Sequence, residues 1–190
     1  MGDQLFKNKY RIKSIRLQHW DYSSCGVYYV TICTKGRECF FGKIINGKMI
    51  LSEIGEMVVQ FWMEIPKHYP HVKLDEFVIM PDHLHGVLII QTIARNVETP
   101  HWGVSTGHIP NPHHNPRWKP NSLGSIICQF KSISTKRIRA MDFLNFAWQS
   151  RFYESIVRNE KHLYVIRKYI INNPLKFELD KKRDYLKPPY

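Results

Sequence analysis

The feature that most constrains this chain is a pair of adjoining strand patterns, Val72–Met80 and His83–Gln91, the second carrying the unbroken apolar run Gly86-Val87-Leu88-Ile89-Ile90. A run of this kind, bounded by turn signals, asks for burial within a sheet. Residues 27–34 (Val-Tyr-Tyr-Val-Thr-Ile-Cys-Thr) make the same demand, being β-branched and aromatic with no helix former among them. Gly42–Ser52 reads as a hairpin about Asn46-Gly47, the pair that accepts the positive φ of a type I′ turn. Ser52 then caps a helix with Ile54, Met57, Val58, Phe61, Trp62 and Ile65 at helical spacing, closed by Pro66 and Pro70. Ser122 opens a second amphipathic helix through Leu123, Ile126, Ile127, Phe130, Ile133 and Ile138; a strand over Trp148–Val157 and a last helix over Asn159–Asn172 follow. The order strand, hairpin, helix, strand pair, helix, strand, helix predicts an α+β fold, an antiparallel β-sheet covered by α-helices.

A length of 190 residues suits one domain spanning 1–190, and 43% hydrophobic with 13% aromatic residues supplies its core, which excludes wholesale disorder. Residues 92–121 hold five of the eleven prolines and four of the ten histidines (His101, His108, His113, His114), the composition of an insert or long surface loop; residues 180–190 form a charged tail. No run approaches the roughly 20 apolar residues of a membrane span. The N-terminus is polar and basic, so a soluble cytoplasmic protein without a membrane partner is expected. Cys25, Cys33, Cys39 and Cys128 contain no CxxC pair and read as reduced structural thiols rather than zinc ligands.

The 28 Lys and Arg against 16 Asp and Glu give a net charge of +12, which points to an anionic partner, nucleic acid first. The excess is uneven: 12 basic against 9 acidic residues over 1–95, and 16 against 7 over 96–190. Tyr10, Trp20, Tyr22, Trp118, Trp148 and Tyr153 are interleaved with these cations, the mixture that binds single strands by stacking and phosphate contact. Candidate phosphate contacts are Arg11, Lys13 and Arg16 in an N-terminal arm beside Trp20, then Lys131, Lys136, Arg137 and Arg139 on the second helix, and Arg151 and Arg158 about the last strand.

In Met80-Pro81-Asp82-His83-Leu84-His85-Gly86, strand alternation sends His83 and His85 to one face and Leu84 to the core. Two imidazoles so placed form half of a metal site; they equally suit a solvated strand face. A third ligand could come from Asp75, Glu76, Asp82 or elsewhere. On the last helix Leu163, Ile166 and Ile170 follow one another at i, i+3 and i+7 and so form one apolar stripe, and the helical period places Tyr169 and Asn173 together along its edge. Tyr169 and Asn173 can thus present a phenol and an amide oxygen to whatever this helix packs on, or serve as a half-buried core residue and a helix terminator before Pro174.

The His83-Leu84-His85 motif, preceded by Phe77-Val78-Ile79-Met80-Pro81 and followed by Gly86, resembles the HUH motif (U hydrophobic) of single-tyrosine transposases. The stretches Trp148–Tyr153, Ile156–Glu160 and Tyr169–Pro174 resemble the C-terminal half of the REP-associated tyrosine transposase branch, and the likeness runs from about Tyr10 to about Asp180. It implies a ferredoxin-like HUH endonuclease fold, with His83 and His85 as metal ligands, Asn173 as third ligand and Tyr169 as nucleophile. Insertion-sequence transposases carry Gln where this chain has Asn173. It also implies a Mg or Mn cofactor, and as partner a DNA hairpin with a short adjoining single strand. The reaction implied is attack by the phenol on a DNA phosphodiester, giving a 5′-phosphotyrosine and a free 3′-hydroxyl without a nucleotide cofactor. A free phenol titrates near pH 10, so the attack asks for a positioned divalent ion on the phosphate. Arg151 and Arg158 are expected near the scissile bond. Tyr164 and Tyr169 lie five residues apart and about 140° around the helix, which favours a single-tyrosine mechanism, with Tyr153 as fallback nucleophile.

Other readings stay open at this level. A relative that keeps the fold and basic face could bind DNA hairpins without cleaving them. An unrelated metallo-phosphoesterase could use the His pair, although a histidine-triad hydrolase needs a third alternating histidine where Val87 stands. The insert histidines could bind a transition metal. A monomer acting in cis and a homodimer exchanging tyrosine helices both fit the sequence.

Overall fold

The computed structural model describes residues 21–92 and 119–185, with side chains through 180. Its elements are β1 (Gly26–Cys33), β2 (Gly42–Ile45), β3 (Lys48–Leu51), α1 (Glu53–Met63), α2 (Ile65–His68), β4 (Val72–Met80), β5 (His83–Ile90), α3 (Leu123–Arg139), β6 (Tyr153–Val157) and α4 (Glu160–Tyr185). Four strands form one antiparallel sheet in the order β4-β5-β1-β6, and β2 with β3 makes a separate hairpin. The α+β expectation holds.

Helices cover the sheet on both faces, and strand parity decides which side chains meet which helix. Tyr28, Val30 and Ile32 of β1 and Leu84 and Leu88 of β5 are fully buried on one face, packed on Val58 and Trp62 of α1 and Ile126, Ile127 and Phe130 of α3. Val27 and Tyr29 of β1, Val87 of β5 and Val157 of β6 occupy the other face beneath Leu163, Ile166 and Ile170 of α4. Burial on both faces is why β5 reads as an unbroken apolar run instead of an alternation. Gly86 faces α1, and a Cβ there would stand 2.4 Å from Trp62 Cζ2, so the strand accepts only glycine at that spacing.

Several local signals are realised as read. Ser52 caps α1 by accepting from the Gly55 N–H, and Ser122 caps α3 through the Ser125 N–H. Asn46 and Gly47 take φ of 52° and 71° at the β2–β3 turn.

Three boundaries differ from the sequence reading. Pro66 does not close the first helix but sits in the first turn of the short α2, where its missing N–H costs nothing. The last strand begins at Tyr153 and not at Trp148, which makes only an isolated bridge to Thr34. Trp148 is instead drawn into the core between Phe41, Phe130 and Phe146, its Nε1–H donating to Ser134 Oγ at 2.9 Å. Finally, α4 does not end at Asn172; it runs through Pro174 to Tyr185. Proline removes one helical bond, but Pro174 is buried and the hairpin tip supports the next turn: the Gly47 N–H donates to Glu178 Oε2 at 2.5 Å and Leu175 packs against Gly47. Much of the 92–121 segment, the Arg11, Lys13 and Arg16 arm and the end of the charged tail lie outside the described residues.

Candidate functional site

Odd-numbered residues of β5 face α4, so His83 and His85 lie on the same side of the sheet as Val87 and the helix that carries Tyr169. The two imidazoles are 6% and 5% exposed, and their Nε2 atoms face each other at 3.1 Å. Tyr169 Oη stands 3.4 Å from His85 Nε2, with its ring edge-on to the imidazole at a centroid distance of 5.3 Å. The phenol is 39% exposed, which leaves it open to a large substrate.

The outer nitrogens are held by neighbours that the strand register supplies. Thr31 of β1 is directly opposite His85, and its Oγ1 lies 2.9 Å from His85 Nδ1. Tyr29, two residues away on the same face, brings its hydroxyl to 2.7 Å from the same nitrogen. His83 Nδ1 lies 2.6 Å from Asp82 Oδ1, and Arg37 Nε binds the other carboxylate oxygen at 2.7 Å. The Pro81-Asp82 turn is fixed by the segment over it: Thr34 N–H and Oγ1–H both donate to the Asp82 carbonyl, and the Phe41 N–H donates to that of Pro81.

These partners set charge and tautomer. Burial, then the positive charges of His83 and Arg37, push His85 down to about 3, so this ring is neutral near neutral pH. Burial works to raise the Asp82 carboxyl, but the hydrogen bond and charge of His83, with Arg37, outweigh it and hold the group below its ordinary value. Burial raises the Tyr29 hydroxyl above the usual phenol range, so it stays protonated beside His85. An ionised Asp82 only accepts, so His83 carries a proton on Nδ1 and turns its Nε2 toward His85.

That donor set fits a divalent ion. Two imidazole Nε2 atoms facing each other at 3.1 Å call for a shared proton or a cation between them. Carboxylate and hydroxyl partners on the outer nitrogens are the usual second layer of a histidine metal site. Among the described residues no three His, Cys, Asp or Glu side chains gather at one point. Asn173, one turn beyond Tyr169 on α4, continues the buried stripe of Leu163, Ile166 and Ile170 and is 6% exposed.

The other predicted residues separate. Asp82, a candidate third ligand, is instead the partner of His83 Nδ1, and Asp75 pairs with Arg167 of α4 at 2.6 and 2.7 Å. Lys136 and Arg137 are exposed but stand on α3, across the sheet from the histidines. Lys131 is half-buried, with its ammonium donating to the carbonyls of Gln149 and Ser150, and burial lowers its pKa. Arg151 and Arg158 are both exposed, at opposite ends of β6. Tyr153 pairs with Thr31, so Arg151 lies toward the histidines, whereas Arg158 follows Val157, roughly 17 Å along the strand from Tyr153. Tyr153 is 46% exposed with its ring 6.2 Å from that of Tyr29, and Tyr164 is 60% exposed on the outer side of α4.

Tyr29, Thr31 and Arg37 were not foreseen. The first two share the odd parity of β1, but only the β1–β5 register shows that they meet His85. Arg37 follows Lys35-Gly36 in a polar loop and carries no pattern of its own. Lys176, whose Nζ lies 5.7 Å from the Tyr169 ring centroid, occupies the i+7 position and could have been found on the helical wheel.

No family model matches the chain. Among solved structures, a REP-associated tyrosine transposase bound to a REP hairpin superposes with a TM-score of 0.54 at 18% identity, covering 85% of this chain and 74% of that one. The likeness establishes the tyrosine-transposase fold. A candidate transposase from Deinococcus radiodurans R1, at a TM-score of 0.44 and 14% identity over 83% of this chain and 95% of that one, is too distant to add to it. In sequence, an uncharacterized protein of Haemophilus influenzae Rd is 41% identical over 169 residues, 88% of this chain and 91% of the relative. This chain, with its antiparallel sheet and tyrosine-transposase fold, belongs to the family of that Haemophilus influenzae protein.

Proposed function

We propose that this protein is a metal-dependent single-stranded DNA endonuclease and strand transferase of the REP-associated tyrosine transposase type, cleaving beside DNA hairpins through Tyr169. The observation that carries this reading is the line of three groups on one sheet face: His83 Nε2 and His85 Nε2 at 3.1 Å, and Tyr169 Oη 3.4 Å from the latter. The fold is that of a transposase seen bound to a REP hairpin, and the net charge of +12 suits the same class of partner.

In this reading His83, His85 and Asn173 hold a Mg or Mn ion, which supplies charge stabilisation at the scissile phosphate when bound. Asp82, Thr31 and Tyr29 fix the two rings so that both Nε2 lone pairs point inward. The Tyr169 oxygen forms a bond to phosphorus as the bond from phosphorus to the 3′-oxygen breaks. The phenol gives up its proton and the departing 3′-oxygen gains one, leaving a 5′-phosphotyrosine and a 3′-hydroxyl. One phosphodiester replaces another, so the step reverses readily and α4 retains the DNA end for rejoining. The ammonium of Lys176, beside the Tyr169 ring, and the guanidinium of Arg151, toward the histidine end of β6, serve the approaching phosphates.

The test is incubation of the protein, and of Tyr169→Phe, with Mn and end-labelled single-stranded DNA carrying hairpins from beside its own gene. A protease-sensitive covalent adduct on a denaturing gel, absent in the variant, is the expected result. Hairpin binding without adduct or cleavage in any divalent metal would replace this reading with that of a non-catalytic hairpin-binding protein.

A further inference from the structure

Arg37 stands at the outer end of a chain of contacts that reaches the nucleophile. Its Nε–H donates to Asp82 Oδ2 at 2.7 Å, while the other oxygen of that carboxylate meets His83 Nδ1 at 2.6 Å. Its Nη1–H donates to Sγ of Cys33 at 2.8 Å, and Cys33 is the residue paired with His83 across β1 and β5. The guanidinium therefore bridges the carboxylate that holds His83 and the side chain of the residue paired with His83 in the sheet. Arg37 Nη2 comes within 3.4 Å of His83 Nδ1, but both atoms are donors, so Asp82 is the acceptor that serves them together.

The backbone supplies a second, independent observation. Arg37 has φ of 61° and follows Gly36 at 69°, two successive residues in the left-handed region. Glycine enters that region freely and asparagine more readily than most, whereas a long side chain with a Cβ is uncommon there. Turn chemistry alone would select Gly or Asn at position 37. An arginine held in this conformation, with its fork closed on a buried carboxylate, points to a task for the side chain. The loop that carries it is tied to the same turn, since Thr34 donates both its N–H and its Oγ1–H to the Asp82 carbonyl.

We propose that Arg37 is a positioning residue of the metal site: by locking the Asp82 carboxylate it keeps the His83 proton on Nδ1 and aims the Nε2 lone pair at His85. The assignment rests on reading the histidine pair as a metal site. It needs Arg37 to touch neither ion nor substrate. A lysine lacks the fork that reaches Asp82 and Cys33 together.

The variant that isolates this role is Arg37→Gly, which suits the left-handed backbone and so spares the turn. Two measurements on the full-length chain decide it. The first is nitrogen-15 NMR of labelled histidines in the metal-free protein, at a pH where both rings are neutral. It is expected to show His83 as the single Nδ1–H tautomer in the native protein and as a mixture of tautomers in Arg37→Gly. The second is Mn titration followed by electron paramagnetic resonance. Arg37→Gly is expected to weaken Mn binding about 10- to 100-fold. In an Asp82→Asn background, the same change is expected to cost less than about 2-fold, because the intermediary is already gone. Unchanged tautomer and Mn affinity in Arg37→Gly would overturn the assignment and leave Arg37 a loop staple. Failure of the native protein to take up Mn would overturn the metal-site reading instead, and the NMR comparison, which needs no metal, would still decide the part played by Arg37.

Discussion

The glycine that follows His85 gives the sharpest test of how the sheet is assembled. In Gly86→Ala the new methyl carbon meets Trp62 Cζ2 at 2.4 Å and Cε2 and Cη2 at 3.1 Å. An unstrained carbon contact needs about 3.6 Å, so the indole must retreat by about 1.2 Å. It has nowhere to go: Trp62 is fully buried, with Phe130 edge-on at 5.3 Å and Phe77 at 6.3 Å. Overpacking of this kind costs about 1–3 kcal/mol, and a clash with a rigid ring belongs at the upper end. For a chain of this length, about 3 kcal/mol lowers Tm by roughly 6–12 °C. Because Gly86 adjoins His85, any shift of β5 also displaces the imidazole, so adduct formation should fall further than stability alone explains. Urea unfolding of Gly86→Ala, Trp62→Phe and the double variant is the assay. The smaller ring should relieve the clash, giving a favourable coupling of about 1–2 kcal/mol. A Gly86→Ala protein within about 0.5 kcal/mol of the native one would refute the packing argument.

Further predictions concern the helix that carries Tyr169 and the cations. Arg167 pairs through two hydrogen bonds with Asp75 of β4 and holds that carboxyl below its ordinary value, a contribution to stability present above the unfolded carboxylate pKa and lost as pH falls through the lower folded one. Arg167→Ala should therefore flatten the acid limb of a plot of Tm against pH and leave its shape near neutrality unchanged. Arg151→Ala should lower the slope of log K against log salt for single-stranded DNA by roughly 0.7, read from binding titrations. Lys131→Met should leave that slope unchanged yet cost about 1 kcal/mol in urea unfolding, because the half-buried side chain donates to the carbonyls of Gln149 and Ser150.

What the sequence disclosed and what it withheld follow from the range of the interactions involved. The β2–β3 turn, both serine caps and the alternation of His83, Leu84 and His85 depend on neighbours a few residues apart, and each was legible. The helical wheel also put Tyr169 and Asn173 together along the edge of the buried stripe, but that Asn173 is buried while Tyr169 stays accessible is visible only in the fold. The end of α4 was not legible, because a local rule against helix before Pro174 is overridden by the hairpin tip at Gly47, 131 residues from Glu178. Trp148 looked like strand because tryptophan favours sheets, but an indole with a hydrogen-bonding partner at Ser134 gains more from the core. Lys131 resembled its exposed neighbours on the polar side of α3, and only the approach of the chain after Trp148 turned it into an anchor. Arg37 could be recognised only once the turn at Asp82 was seen folded beneath it.

The most direct test of the central claim is mass spectrometry of the protein after reaction with hairpin-bearing single-stranded DNA, Mn and nuclease trimming. The account predicts a nucleotide joined through phosphate to Tyr169 and to no other residue. A nucleotide on Tyr153, or cleaved DNA with every tyrosine unmodified, would contradict it.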